Sequence, residues 1–157
     1  MLFRTHLMFG IFAILIMISF VNDKSVFVIV ALIGTIIPDI DHSDSKVGKR
    51  LIFRPLQFFI KHRGMIHSFT IAILISILIA LFFPIASFGF FLGYCVHLLC
   101  DSFTKEGIEP FWPFDYKTHG YLRTGEKYEE ILFVFMIAVN LVLFFIVVYF
   151  NRFLFGI

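Results

Sequence analysis

Charged residues are scarce in this sequence. Asp, Glu, Lys and Arg make up 15% of its 157 residues, whereas hydrophobic residues make up 60%, and the mean hydropathy is +0.96. Soluble domains carry about 25% charged and about 45–50% apolar residues. The composition therefore argues against an ordinary soluble domain and predicts a small integral membrane protein in which residues 1–157 form a single domain.

Cysteine and net charge are also low. The two cysteines, Cys95 and Cys100, lie inside an apolar run and form no CxxC pair, so they indicate no disulfide framework. The net charge of +2 is too small to indicate a nucleic-acid partner. Lipids are the partners that the composition favours, and the oligomeric state stays open.

Long apolar runs are what the sequence has instead. Only helices and closed barrels satisfy their backbone hydrogen bonds in lipid, and these runs lack the alternating pattern of barrel strands. We therefore expect an all-α integral membrane bundle of about five transmembrane helices. The predicted segments are Leu7–Val21, Val26–Ile37, His67–Phe83, Ile85–Cys100 and Ile131–Phe150.

Particular residues decide how several of these segments are interpreted. The first, Leu7–Val21, could mimic a signal peptide, but the "VNDKS" that follows is a poor cleavage site, so we expect a mature helix. Pro84 splits one long run into a tight helical hairpin, because proline removes a helical hydrogen bond. The second segment, Val26–Ile37, covers about 18 Å of a roughly 30 Å hydrocarbon core. It is either a half-span or a helix lengthened by its polar flanks.

The basic residues predict how the protein lies in the membrane. Eleven of the thirteen Lys and Arg residues fall at the N-terminus, between the second and third segments, or between the fourth and fifth. The other two, Lys24 and Arg152, fall on the opposite side. Short basic loops stay in the cytoplasm. We therefore predict a multi-pass protein of the cell membrane with a cytoplasmic N-terminus.

This topology places metal-ligand side chains at the cytoplasmic end. All six histidines fall there, as do four aspartates: Asp39, Asp41, Asp44 and Asp101. In "HLLCD", His97 and Asp101 are four residues apart and share one helix face, so together they can chelate one cation. Ionisable residues near membrane depth are costly and usually functional.

The stretch "HRGMIHS" adds His62, Arg63 and His67 ahead of the third helix. Helix N-termini favour anions, and a guanidinium can clamp a phosphate as a planar fork. Arg63 is therefore the predicted phosphate-holding residue. The alternative is that His62 and Arg63 belong to a basic loop that binds lipid headgroups.

Mixed His and Asp ligands without thiolate favour Zn²⁺, with Mn²⁺ or Fe²⁺ as alternatives, and the number of candidates allows one to three ions. Such ions supply hydroxide near neutral pH and stabilise charge on a phosphoryl group. Asp41 is the predicted base or bridging ligand. The candidate metal ligands are His6, Asp39, His42, His62, His67, His97 and Asp101.

Simpler interpretations stay open for several of these residues. His6 could be an ordinary interfacial histidine, and Asp39 could cap a turn after Pro38. Asp44 and His119 are more typical of solvated surface. The aromatic loop 102–130 is more typical of an interfacial anchor than of a lid over the site.

The motifs together resemble a known family. "RTH", "PDIDH", "HRGMIHS" and "HLLCDSFTKEG" with a following "PFWP" are similar to the YdjM-like, LexA-regulated, membrane-bound metal-dependent hydrolases. The resemblance covers Arg4 to about Pro113. It implies an inner-membrane location and a metal-dependent hydrolase activity.

The order of the motifs is also similar to that of the zinc-dependent phospholipases C, which hold three zinc ions. That likeness implies a ligand set of His6, Asp39, His62 or His67, His97 and Asp101. This sequence departs from the pattern because residue 1 is Met rather than Trp and no HxxxE follows Asp101. A site for one or two metals is therefore the safer expectation.

The sequence thus predicts a hydrolase that cleaves a phosphoester of a lipid or lipid-linked substrate at a cytoplasm-facing metal site. The alternative is a non-enzymatic membrane protein in which a structural metal ties the helix ends together. A transporter ranks last, because it would need ionisable residues at mid-membrane and the sequence offers essentially none there.

Overall fold

The computed structural model describes residues 1–41, 48 and 63–155, with side chains as far as residue 149. The predicted ligands His42 and His62 therefore lie outside the described residues, as does Asp44. The described residues form five α-helices and no extended strands, which confirms the all-α prediction. The helices are α1 (Phe3–Met17), α2 (Lys24–Ile36), α3 (Phe69–Phe82), α4 (Pro84–Ser102) and α5 (Lys127–Phe155).

Short 3₁₀ turns connect some of these helices. Ile18–Phe20 follows α1, Ile37–Asp41 extends α2, and Met65–His67 precedes α3. The helix α1 begins four residues before the predicted start, because the polar residues of "RTH" form its first turn instead of preceding it. The predicted bounds had covered only the apolar run.

The predicted hairpin around Pro84 is confirmed. Pro84 is the first residue of α4, where the missing N–H costs nothing and the fixed φ suits a helix. Ser68 caps the start of α3 by accepting a hydrogen bond from the Ile71 N–H at 3.3 Å. Two common sequence signals therefore mark helix starts here: Ser68 marks the start of α3 and Pro84 marks the start of α4.

Within residues 1–41 and 63–155, three helical segments are long and apolar enough to cross a membrane: Phe3–Phe20, Pro84–Ser102 and Lys127–Tyr149. The helix α3 is a shorter apolar helix. With 13 residues, α2 is about 20 Å long, which is less than the roughly 30 Å hydrocarbon core. Many large apolar side chains on α3 and α5 are exposed, as expected for surfaces that face lipid.

Glycine residues allow α2 and α4 to approach closely. A Cβ added at Gly93 would lie 2.0 Å from the Ala31 carbonyl oxygen, and one at Gly34 would lie 2.4 Å from that of Phe90. Small residues permit this kind of backbone contact between membrane helices. The contact matters for the site because it places the end of α2 next to the C-terminal half of α4.

The starts of α1, α3 and α5 meet the ends of α2 and α4 at one end of the bundle. His67 before α3 lies 3.0 Å from Asp41 after α2, and His6 on α1 lies 3.3 Å from Asp101 on α4. The backbone N–H of Leu2 donates to Glu129 on α5 at 2.6 Å. The candidate site is built where these five helix ends converge.

Candidate metal centre

The structure brings seven of the nine predicted site residues together. They come from four separate parts of the chain, so no single local segment could form the cluster alone. The members are His6 on α1, Asp39 and Asp41 after α2, Arg63 and His67 before α3, and His97 and Asp101 on α4. His42 and His62 lie outside the described residues, and their roles stay predictions.

The ligand atoms form two overlapping groups. His6, His97 and Asp101 make one, and Asp39, His67 and His97 make the other. From His97 Nε2, the distance is 3.3 Å to His67 Nε2, 3.6 Å to Asp101 Oδ2 and 3.8 Å to Asp39 Oδ1. A tetrahedral zinc ion with bonds of about 2.0–2.1 Å keeps its ligand atoms about 3.3–3.4 Å apart. The spacing thus suits one ion, with Asp39 at the edge of the set.

Hydrogen bonds fix the protonation of two of the imidazole rings. His97 Nδ1 lies 2.8 Å from the Thr35 carbonyl oxygen, which can only accept, so Nδ1 carries the proton. His67 Nδ1 lies 3.0 Å from Asp41 Oδ2 and likewise donates to it. A neutral ring protonated at Nδ1 has its lone pair on Nε2. Both Nε2 atoms therefore point lone pairs toward the centre.

Two lone pairs that face each other at 3.3 Å repel unless a cation lies between them. A proton would place a charge on one of two fully buried rings, whereas a metal ion would satisfy both nitrogens together with Asp101. Burial lowers the pKa of His67 from its ordinary value of 6.5, more than the neighbouring Asp41 raises it. The neutral imidazole is the form that binds a metal.

His6 provides an independent indication. Its side chain is buried, and its Nδ1 atom has no hydrogen-bond partner within the part of the chain that the structure describes. Its Nε2 atom lies 3.3 Å from Asp101 Oδ1. Its ring stacks on that of His97, with centroids 4.0 Å apart. A buried polar atom without a partner is costly. The donor set and the unpartnered Nδ1 of His6 therefore fit a divalent metal such as Zn²⁺.

Asp41 lies behind His67 rather than in the centre. Besides the His67 ring, its Oδ2 atom accepts the Arg63 backbone N–H at 3.3 Å. Metal-binding histidines commonly donate their second N–H to a carboxylate, which holds the ring in position. The geometry thus suits Asp41 to orienting His67 better than to bridging metals.

Arg63 lines the other side of the cluster. Its Nη1 donates to Thr104 Oγ1 at 2.8 Å, and its Nη2 lies 3.5 Å from Asp101 Oδ1 and 3.1 Å from Glu106 Oε2. Its backbone has φ of 63°, in the left-handed region that non-glycine residues rarely adopt. Strain of this kind costs about 1–3 kcal/mol and often marks functional sites. The guanidinium of this residue lies beside the end of α4.

Several supporting residues had no clear signal in the sequence. Thr35 acts through its backbone carbonyl, which any residue could supply. Tyr94 donates from its hydroxyl to the Ile66 carbonyl oxygen at 2.6 Å and so holds the turn before His67. Its spacing of three residues from His97 could have indicated it, because both lie on one face of α4.

Two further contacts join the N-terminal residues to the cluster. The amino group of Met1 contacts Asp101, and Glu129 accepts from the Leu2 N–H and, at 2.6 Å, from the Gly125 N–H. Glu129 is buried although it lies in the charged run "EKYEE". By contrast, His119 is exposed and lies outside the cluster, near the Lys105 carbonyl oxygen.

Comparisons with known proteins give the following matches. A family model described as "YdjM inner membrane protein" matches residues 1–155. The Inner membrane protein YdjM of Escherichia coli (strain K12) is 34% identical over 95 residues, which cover 53% of this chain and 47% of that protein. The Shigella flexneri protein of the same name matches equally. The chain thus matches about half the length of these two relatives.

A third relative, the Uncharacterized protein YvsG of Bacillus subtilis (strain 168), is 25% identical over 136 residues, covering 82% of this chain and 85% of that protein. No solved structure matches. The names of the two YdjM proteins specify an inner-membrane location, and the name of YvsG specifies neither a location nor an activity. The similarity to zinc-dependent phospholipases C is not confirmed by the comparisons.

Proposed function

The chain belongs to the YdjM inner membrane protein family and is a multi-pass protein of the cell membrane, and from this premise we propose that it is a metal-dependent hydrolase of a lipid or lipid-linked phosphoester. The observation that carries the proposal is the set of buried imidazole nitrogens around Asp101. Two of them, on His67 and His97, face each other as acceptors at 3.3 Å. A divalent cation resolves that arrangement.

In this proposal His67, His97 and Asp101 hold one divalent ion, most suitably Zn²⁺, and His6, which shares a group with His97 and Asp101 but not with His67, is a further ligand candidate. Asp39 lies at the edge of the set, and His42 and His62 lie outside the described residues. A bound ion of this kind supplies hydroxide near neutral pH and stabilises charge on a phosphoryl group. Asp41 holds the His67 ring through its Nδ1 proton and is therefore a positioning residue rather than the base or bridging ligand that the sequence predicted.

Arg63 is the residue that we assign to the phosphate. The Nε atom of its guanidinium is buried and has no hydrogen-bond partner among the described residues. The guanidinium also lies beside Asp101, so a phosphate held by Arg63 would be adjacent to the metal ligands. Charge-assisted hydrogen bonds of this type are about twice as strong as neutral ones.

The lipid nature of the substrate rests on location. The cluster lies where the membrane helices end, and the loop after α4 exposes the aromatic residues Phe111, Trp112 and Phe114. Aromatic side chains favour the membrane–water interface. A phosphoester carried by a lipid headgroup would be presented at that level.

The test is hydrolysis by detergent-purified protein in mixed micelles containing phospholipid, with Zn²⁺ or Mn²⁺ added. We expect release of a phosphorylated or dephosphorylated headgroup, and a loss of at least about 100-fold in Asp101→Asn, because that change removes a charged ligand. The exposed Asp115→Asn is the matched control and should keep full activity. Retained activity in a folded Asp101→Asn protein would contradict the assignment.

One observation favours a second candidate, a structural metal. The side chains of His6, His67 and His97 are almost fully buried and come from three different parts of the chain, as in a closed site that ties helices together. That candidate predicts that chelation unfolds the protein and that no phosphoester is cleaved. A hydrolase predicts loss of activity on chelation and its return when Zn²⁺ is added back.

A further inference from the structure

An apolar groove runs between α1 and α4, with Leu132 of α5 at its edge. It encloses about 490 Å³ and is lined by apolar side chains. From α1 these include Phe9, Ala13 and Ile16, and from α4 they include Val96 and Leu99. Both helices belong to segments long enough to cross a membrane, so the groove lies at the depth of the hydrocarbon core.

The groove ends next to the candidate metal centre, although none of the metal-ligand candidates lines it. On α1, His6 lies three residues before Phe9 and seven before Ala13, so these side chains share one helix face. At the end of the groove lie Met1, whose amino group contacts Asp101, and Cys100, which precedes Asp101 on α4. A molecule lying in the groove would therefore have one end at Met1 and Cys100, adjacent to Asp101.

The volume suits a single hydrocarbon chain. An apolar cavity of about 150 Å³ holds one benzene ring, so 490 Å³ has room for about 18 carbon atoms packed in the same way. A helix about 10 Å across occupies roughly 400 Å³ per 5.4 Å turn, so the groove would accept about one turn of a further helix. The α1 residues that line the groove run from Phe9 to Met17, about 12 Å along the helix, and Met1 extends the lining beyond the start of α1.

The two ends of the site differ in chemistry as the two parts of a phospholipid do. The groove offers apolar side chains only, whereas the adjoining cluster offers Arg63 and the metal-binding residues. We propose that this groove binds one acyl chain of a phospholipid substrate and so places its phosphate at the metal centre. The proposal rests on the proposed function and specifies its substrate class: a lipid whose chain enters the protein laterally from the bilayer.

Photocrosslinking tests where a lipid chain lies without requiring catalysis. The probe is phosphatidylglycerol with a diazirine in one acyl chain, mixed into vesicles that contain the wild-type protein. Mass spectrometry of the peptides should find adducts concentrated between Phe9 and Met17 and between Leu92 and Leu99. The exposed face of α5 around Val134 and Val142 should react several-fold less per residue, although it also faces lipid.

A matched pair of variants tests the groove by filling it. Ala13→Phe adds a ring inside the groove, whereas Ala138→Phe adds the same ring on the exposed face of α5. We expect Ala13→Phe to reduce the adducts at Leu92–Leu99 at least fivefold and Ala138→Phe to leave them unchanged. Because the wild-type adduct map needs no variant to fold, it stands if Ala13→Phe proves unstable.

The outcomes separate this proposal from the hydrolase proposal. Adducts spread evenly over all lipid-facing helices, or crosslinks to a second copy of the chain in the groove, would overturn the acyl-chain assignment and leave metal-dependent hydrolysis unaffected. Adducts concentrated in the groove of a protein that cleaves no phosphoester would support a lipid site and overturn the substrate role. Concentrated adducts together with hydrolysis that Ala13→Phe slows would support both.

Discussion

At the residue scale, the hydrogen bond made by Nδ1 of a histidine ring determines whether Nε2 has a lone pair for a metal. The Thr35 carbonyl holds the proton of His97 on Nδ1, and Asp41 does the same for His67. Both rings consequently direct Nε2 toward Asp101. The candidate centre therefore depends on residues that would never touch a metal.

Asp41→Asn tests this dependence. The amide can still accept from His67 but loses the negative charge that strengthens the hydrogen bond and the basicity of the ring. Removing such a partner typically costs about 10–100-fold in metal affinity. We expect that loss in a competitive Zn²⁺ titration of the purified protein, with Asp115→Asn unchanged. Equal affinities in the two variants would remove Asp41 from the positioning role.

Arg63→Lys separates phosphate binding from metal binding. Lysine keeps the charge but not the planar fork. Arg63 is not itself a metal ligand in this proposal, and its Nη2 contacts Asp101 Oδ1 only at 3.5 Å. Hydrogen bonds to charged groups contribute about 1.5–3 kcal/mol, so we expect KM for the phosphoester to rise about tenfold or more while the metal content stays the same. The exposed Arg123→Lys is the control. A normal KM in Arg63→Lys would assign the phosphate to another residue.

Which residue types would cluster was predictable, but their individual contacts were not. His97 and Asp101 were predicted as a pair because a spacing of four on a helix puts them on one face. The role of Asp41 was not predictable. It depends on the orientation of the His67 ring, and His67 lies 26 residues further along the chain. Glu129 was missed because nothing in "EKYEE" distinguishes a buried carboxylate from solvated ones.

At the scale of the helices, the close contact of α2 with α4 positions the centre. The Thr35 carbonyl that holds His97 belongs to α2, and Gly93 of α4 lies against Ala31 one turn earlier. The sequence predicted both helices from their hydropathy. It did not predict their contact, because glycines in an apolar helix indicate close packing without indicating the partner.

Gly93→Ala should therefore disturb both stability and metal binding. The new Cβ would lie 2.0 Å from the Ala31 carbonyl oxygen and 2.8 Å from the Thr35 nitrogen, and neither backbone atom can move without shifting α2. Overpacking of this kind costs about 1–3 kcal/mol. We expect a lower thermal unfolding midpoint in detergent and weaker Zn²⁺ binding. The control is Val142→Ile, which adds one carbon at an exposed position of α5 and should change neither the unfolding midpoint nor Zn²⁺ binding. A Gly93→Ala protein with wild-type stability would show that α2 and α4 are less tightly packed than described.

At the scale of the whole molecule, the helix directions put the cluster and the basic loop after α4 at the same end. That loop carries Lys105, Lys117 and Arg123, and the turn between α1 and α2 lies at the other end. The sequence predicted this arrangement because each helix reverses the direction of the chain. The positive-inside rule predicts in addition that this end faces the cytoplasm.

Accessibility of introduced cysteines checks this orientation. In intact cells stripped of any outer membrane, a membrane-impermeant maleimide should label Asp23→Cys, in the turn between α1 and α2, but not Lys117→Cys. Permeabilised cells should show labelling of both, since both positions are exposed. The wild-type protein, with its half-buried Cys95 and buried Cys100, is the background control. The reverse pattern would place the centre outside the cytoplasm.

The measurement that tests the central claim most directly is the metal content per chain. It compares wild type, His97→Ala and the exposed His119→Ala, all purified in detergent without chelator and checked for helix content. The account predicts stoichiometric zinc or manganese in wild type and His119→Ala, and its loss from His97→Ala. A wild-type protein without bound metal, or a His97→Ala protein that retains the full amount, would contradict the account.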